Sequence, residues 1–184
     1  MAASYGPGMV PAPDVHYVRN GDVRLAWNTV GSGQDVLLVP GLFSNVEVVW
    51  EHEITRRVIE FVAGHARQVA FDKRGMGLSD RLERAPSLED HVSDVLTIMD
   101  AAEIERAALI GVSEGGAISQ AVAARHPDRV ERLVLANAVP GVRILEEFRG
   151  SHARVNFVVT ADQRDAERFL GPLTEQFLVF CDPD

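Results

Sequence analysis

The sequence predicts an α/β fold: a mainly parallel sheet with helices on both faces and an N-terminal antiparallel hairpin. Three observations carry that expectation. Continuous apolar runs such as V-L-L-V (36–39) and A-A-L-I-G-V (107–112) suit strands buried on both faces of a sheet. Between such runs, apolar residues recur at helical spacing, so strands and helices alternate. Ahead of them two short runs flank Asn20-Gly21-Asp22, which is hairpin chemistry because Asn-Gly accepts the positive φ of a tight turn.

Each element has a local reason. Residues 1–14 are rich in Ala, Gly and Pro and read as a disordered leader. V-H-Y-V (15–18) and V-R-L-A-W-N-T-V (23–30) are the hairpin strands, and Gly31-Ser32-Gly33 turns the chain into the run 36–39. Ile54, Val58, Ile59 and Val62 share one face of a helix that ends near Gly64. Q-V-A-F-D (68–72) is the next strand. Ser87 followed by Asp90 has the spacing of a capping box, and Val92, Val95, Leu96 and Met99 form the apolar stripe of the helix it starts. After strand 107–112, an Ala-rich helix runs from Gly115 to Arg125 and stops before His126-Pro127. V-E-R-L-V-L-A (130–136) is a strand, R-V-N-F-V-V-T (154–160) a candidate further strand, and Ala166 to Phe180 has mixed helical spacing. The expected organisation is a leader (1–14), an α/β core (15–138) and an atypical C-terminal segment (139–184), part strand and part helix.

Composition excludes several function classes. The chain of 184 residues is 46% hydrophobic and 24% charged, with a net charge of −9. That balance suits a soluble globular domain and disfavours nucleic acid, whose phosphates need a basic surface. The first thirteen residues hold no basic residue and no long apolar run, so they read as neither signal nor transit peptide. No stretch has the length of a membrane span, no membrane partner is expected, and the default compartment is the cytoplasm. The single cysteine, Cys181, permits no intrachain disulfide and has no catalytic signature around it. No histidine shows metal-ligand spacing such as H-E-x-x-H, and neither a metal nor a cofactor is expected.

The chemistry centres on G-V-S-E-G-G (111–116). A Gly-x-Ser-x-Gly pattern gains meaning when it lies between a strand and a helix, and here it does. Such a turn is so tight that side chains at Gly111 and Gly115 would strike neighbouring backbone. It presents the Ser113 hydroxyl at the C-terminal edge of the sheet, at a helix N-terminus whose dipole favours developing negative charge. The competing reading is a Gly-rich phosphate-binding turn, but the chain has neither G-x-G-x-x-G nor G-K-[ST]. P-G-L-F-S-N (40–45) directly follows strand 36–39, where a loop can add a backbone N–H to an oxyanion hole. The two donors would be the amides of Leu42 and Glu114.

V-L-L-V-P-G-L-F-S-N-V-E-V-V-W-E (36–51), F-D-K-R-G-M-G-L-S-D-R (71–81), G-V-S-E-G-G (111–116) and A-A-R-H-P-D-R-V-E-R-L-V-L-A-N-A (123–138) together resemble the α/β-hydrolase superfamily. More narrowly they resemble a bacterial subgroup whose members occur alone or fused to adenylate/guanylate cyclase domains. The resemblance spans about residues 15–138. It implies Ser113 as nucleophile and a structural role for Asp72, Lys73, Arg74 and Asp80, bracing the loops around the site. Most relatives have His-Gly where this chain has Pro40-Gly41, a departure that leaves the Leu42 amide in place.

The same resemblance shows what the chain lacks. A serine needs a base, the base needs an orienting acid, and the order in this fold is serine, acid, histidine. After Ser113 come only His126 and His152. His126 closes the helix that starts at the elbow, ~15–18 Å away at 1.5 Å per residue. His152 precedes any acid. If 154–162 is the strand that delivers the acid, Asp162 or Asp165 takes that role, and no histidine follows. His91 begins a helix that could approach the site. The expectation is therefore a hydrolase lacking its cap, final strands and usual histidine. It would act on a small-molecule, ester-like substrate with impaired turnover and would have an exposed sheet edge prone to self-association. The alternative is a non-catalytic sensor or partner-binding remnant.

Overall fold

The computed structural model describes residues 11–136 and 138, and the backbone of 154–158 and 178–179. The elements are β1 (His16–Asn20), β2 (Val23–Gly31), β3 (Asp35–Val39), α1 (Glu53–Ala63), β4 (Arg67–Phe71), α2 (Leu88–Ala101), β5 (Ala107–Val112), α3 (Glu114–Arg125), β6 (Val130–Ala136), β7 (Arg154–Val158) and β8 (Leu178–Val179). A short 3-10 turn, Val48–Glu51, precedes α1. The strands form one sheet of eight, in the order β1-β2-β4-β3-β5-β6-β7-β8. β1, β2 and β4 pair antiparallel, and β4, β3, β5, β6, β7 and β8 run parallel.

The hairpin closes at Gly21-Asp22, with Asn20 opposite Val23 and Gly21 at φ +59°. The candidate strand at 154–160 is β7, so the edge beyond β6 is extended, and β8 adds a further short rung. Of the stretch 166–180, the described residues are Leu178 and Val179, and these pair as a strand. The leader up to residue 10 lies outside the described residues.

The two faces of the sheet differ. Leu37 and Val39 of β3, Leu109 of β5 and Leu133 and Leu135 of β6 are buried against Val95, Ile98 and Met99 of α2 and Ile118 and Val122 of α3. Full burial of one such side chain contributes about 1.5–3 kcal/mol. The alternate residues Leu38, Ile110, Val134 and Ala136 are only half-buried. α1 lies on their side, where Val58, Ile59 and Val62 share a cavity wall with Leu38, Ala70 and Ile110. Its expected apolar face is helical but not covered: Ile59 is buried, whereas Ile54 and Val58 are 82% and 59% exposed. Helical spacing decides which residues share a face. It does not decide whether a neighbour covers that face, and among the described elements α1 packs chiefly against β2, β4 and the 3-10 turn.

α2 forms as its spacing implies, with Val92, Val95 and Met99 buried. Its start is a complete capping box: Ser87 Oγ accepts from the Asp90 amide at 3.1 Å, and Asp90 Oδ2 accepts from the Ser87 amide at 2.8 Å. The Arg84 hydrogen bond first, and the Ser87 amide next, hold the Asp90 carboxyl well below the usual carboxylate range. A depressed folded-state pKa stabilises the fold above the unfolded value near pH ~4, and that contribution is lost as pH falls below it. Asp90→Asn should therefore lower the thermal midpoint at pH 7, and the gap to wild type should narrow progressively as pH falls below about 4. Thermal melts of both proteins across that range check this, and a gap independent of pH would refute it.

Candidate active site

The sharpest backbone feature of the described chain is at Ser113. Its φ of +52° and ψ of −119° lie where an L-residue costs of order 1–3 kcal/mol, so the surroundings must hold it there. They do. The Ser113 amide donates to the Ala136 carbonyl of β6 at 3.0 Å, and the Gly116 amide donates to the Ser113 carbonyl at 3.0 Å. Glycine is required on both sides. A methyl group at Gly111 would stand 2.6 Å from Ser119 Oγ and 2.7 Å from the Gly115 carbonyl oxygen. One at Gly115 would stand 2.2 Å from the Val39 carbonyl oxygen. The turn therefore lifts Ser113 clear of the sheet: it is exposed, and its hydroxyl bonds to no described residue.

β3 and β5 end side by side, with Val39 opposite Gly111. The loop after β3 consequently lies against the serine, and the Cβ position of Gly41 is 3.1 Å from Ser113 Cβ and 3.8 Å from its Oγ. Leu42 follows, with its side chain 55% exposed. Neither the Leu42 amide nor the Glu114 amide donates to another described residue. Two unengaged amides flanking an exposed hydroxyl are the parts that stabilising an oxyanion requires. Ser113, Gly111, Gly115, Leu42 and Glu114 are thus brought together. His152, Asp162 and Asp165 lie outside the described residues. His126 caps the far end of α3, and the His16 ring packs tilted against Trp27 in the hairpin.

The loop after β4 braces this arrangement. Asp72 is fully buried, and its carboxylate accepts from the Val46 amide at 3.0 Å and the Leu78 amide at 2.8 Å. Burial pushes the Asp72 carboxyl above its ordinary value, against the pull of those hydrogen bonds. Ser79 Oγ donates to the Asp72 carbonyl and accepts from the Ala26 amide, which ties the loop to β2. Arg74 grips Asp94 with two hydrogen bonds of 2.6 Å and Asp90 with one of 3.0 Å.

Two groups named from the sequence have surroundings that the sequence did not give. Lys73, only 3% exposed, forms an ion pair with the Glu114 carboxylate, beside the amide that follows Ser113. His91, in the first turn of α2, is 9% exposed, and neither ring nitrogen bonds a described residue. Burial, and then the Lys73 charge, holds its imidazole below the ordinary value and therefore neutral at pH 7. The signal was topological: β4 and β5 are parallel, so the helix start after β4 and the elbow after β5 share one edge of the sheet.

Two cavities meet at the elbow. One, of about 430 Å³, is apolar and includes Pro40, Gly41, Val112 and Ala136 in its wall. The other, of about 350 Å³, includes Leu42, Lys73, His91 and Glu114. The chain neighbours of Ser113 therefore line one cavity each. Among the described residues no group of three or more His, Cys, Asp or Glu could hold a metal ion, and no helix is long and apolar enough to cross a membrane.

Comparison with known proteins fits this geometry. The chain is 38% identical over 120 residues to the 2-hydroxy-6-oxo-2,4-heptadienoate hydrolase of Pseudomonas putida, a match covering 65% of this chain and 42% of that protein. It is 37% identical over 114 residues to the 2-hydroxymuconate semialdehyde hydrolase of a Pseudomonas species, covering 61% of this chain and 39% of the relative. The chain thus spans about two fifths of the length of these curated relatives. The meta-cleavage product hydrolase from Pseudomonas fluorescens superposes with a TM-score of 0.66 at 21% identity, covering 86% of each chain, a likeness of fold. The enol-lactonase from Burkholderia xenovorans gives a TM-score of 0.60 at 29% identity, covering 67% of this chain and 46% of the enzyme. The model of the alpha/beta hydrolase fold family matches residues 36–181, and the chain belongs to that family.

Proposed function

We propose that this chain is a serine hydrolase acting on an ester-like bond of a small molecule. Ser113 Oγ attacks the acyl carbon, the Leu42 and Glu114 amides hold the oxyanion, and collapse of the tetrahedral intermediate expels the alcohol and leaves an acyl-serine for water. The strained, exposed backbone of Ser113 carries this reading, because such strain persists where the surroundings impose it and concentrates at reactive groups. The hydrolase names of the relatives support the reaction class. The Ser113 proton needs a base and the base an acid. Within the chain, His152 and Asp162 have the right chemistry, but their order is reversed from the usual one, so turnover is expected to be slow.

A second reading is a non-catalytic remnant that keeps the pocket, and the reversed order of His152 and Asp162 favours it. Labelling by a fluorophosphonate, in which the serine oxygen displaces fluoride from phosphorus, separates the two. Labelling of wild type that disappears in Ser113→Ala is the expected result. Well-folded wild type that never labels would sink the catalytic reading.

A further inference from the structure

The cavity on the Glu114 side of the elbow has a charge pattern that the hydrolytic chemistry does not require. Four cations contribute to its wall: Lys73, Arg74, Arg81 and Arg84. Three face carboxylates: Lys73 faces Glu114, Arg74 faces Asp94 and Arg84 faces Asp90. Arg81 has no carboxylate partner among the described residues. It donates one N–H to the Gly75 carbonyl at 2.8 Å, which docks the guanidinium on the loop and leaves its other donors unused. The same wall holds His91, about nine-tenths buried, with both ring nitrogens unpartnered among the described residues. One cation without a carboxylate partner in a wall whose other three cations have one, beside an imidazole free to take a hydrogen bond from the cavity, marks a site for a single negative charge.

We propose that this cavity is the subsite for a carboxylate carried by the substrate, recognised by the Arg81 guanidinium and by the His91 ring. The planar fork of an arginine matches a carboxylate in two parallel hydrogen bonds. A single unmatched positive charge suits a monoanion better than a phosphate dianion. The opposite, apolar cavity takes the uncharged end, so the preferred substrate is an ester or related acyl compound with an acid group at one end only. The inference rests on the serine-hydrolase reading for treating the ligand as a substrate.

The test is direct binding, without turnover, to the Ser113→Ala protein. Monoethyl glutarate and diethyl glutarate have the same chain and differ in one carboxylate. Titration followed by ligand-observed NMR should give the monoester about tenfold tighter binding. Arg81→Ala, at an exposed position where folding is not at stake, should abolish that preference, and Arg81→Lys should restore part of it. His91→Leu should weaken the monoester alone. Equal binding of the two esters, or a preference unchanged in Arg81→Ala, would overturn the proposal. If wild type fails to label with the fluorophosphonate yet binds the monoester selectively, the carboxylate site stands and the hydrolase reading falls.

Discussion

Gly115→Ala is expected to lower stability by about 1–3 kcal/mol and to slow fluorophosphonate labelling about 100-fold. The added methyl would meet the Val39 carbonyl oxygen at 2.2 Å and the Pro40 carbonyl oxygen at 2.5 Å. Both are backbone atoms, so no side chain can rotate away. Either α3 slides back from the sheet or the loop carrying Gly41 and Leu42 shifts outward. Each movement separates Ser113 from an amide it must work with, and displacements near 1 Å cost about two orders of magnitude in such sites. Gly64→Ala is the control, since its added methyl meets nothing closer than 3.5 Å. Urea titration with labelling kinetics on both variants decides the matter. A Gly115→Ala protein that labels within twofold of wild type would show that the loop-to-helix contact does not set the site.

Arg74→Ala should be the most destabilising single change in the loop after β4, at about 3–5 kcal/mol. Arg74 is 8% exposed and Asp94 fully buried, so removing the guanidinium strands a carboxylate in the core. Asp94 keeps one donor, the Asn20 side-chain amide at 2.8 Å. The same network joins the turn of the hairpin, α2 and the loop beneath the site, so loosening should spread to all three. The cost comes from an unpaired charge rather than from the pair's own attraction. The double substitution Arg74→Met with Asp94→Leu should therefore recover most of the loss. Urea midpoints of the single and double variants check this, and a double variant no better than Arg74→Ala would contradict it.

Most of the architecture was legible because it follows from local chemistry. Asn20-Gly21-Asp22 closes a hairpin, Ser87 and Asp90 cap a helix, and Gly111 and Gly115 make room for a turn that other residues would block. The parallel strands β3 to β7 were readable from their apolar runs to within a residue or two, whereas β8 lay in a stretch read as mixed helical spacing. What stayed hidden depends on contacts between distant segments. Nothing near Lys73 announces that its ammonium meets Glu114, 41 residues away. The unpartnered ring of His91 becomes visible only once the edge of the sheet gathers it with Leu42 and Glu114. The face of α1 was read correctly as a face, but the sequence could not say that no other described element covers it. The acid and base candidates Asp162 and His152 fall outside the described residues, so the triad is no further resolved than the order of residues in the chain.

That uncovered face has a consequence for motion. α1 has 11 residues, short enough to be marginal as an isolated helix. Ile59 is its one buried residue, and its remaining support includes ion pairs along its own length, Arg57 with Glu53 at 3.4 Å and Arg56 with Glu60 at 3.6 Å. An element held by so little buried surface belongs at the low end of the local-unfolding scale, where amide protons exchange by sub-global opening while the α2 and α3 side stays protected. α1 is also a wall of the apolar cavity beside Ser113. The cavity is therefore expected to have one wall that opens more readily than the other, and the size of ligand it admits would be set by detachment of that helix rather than by the volume of the closed form.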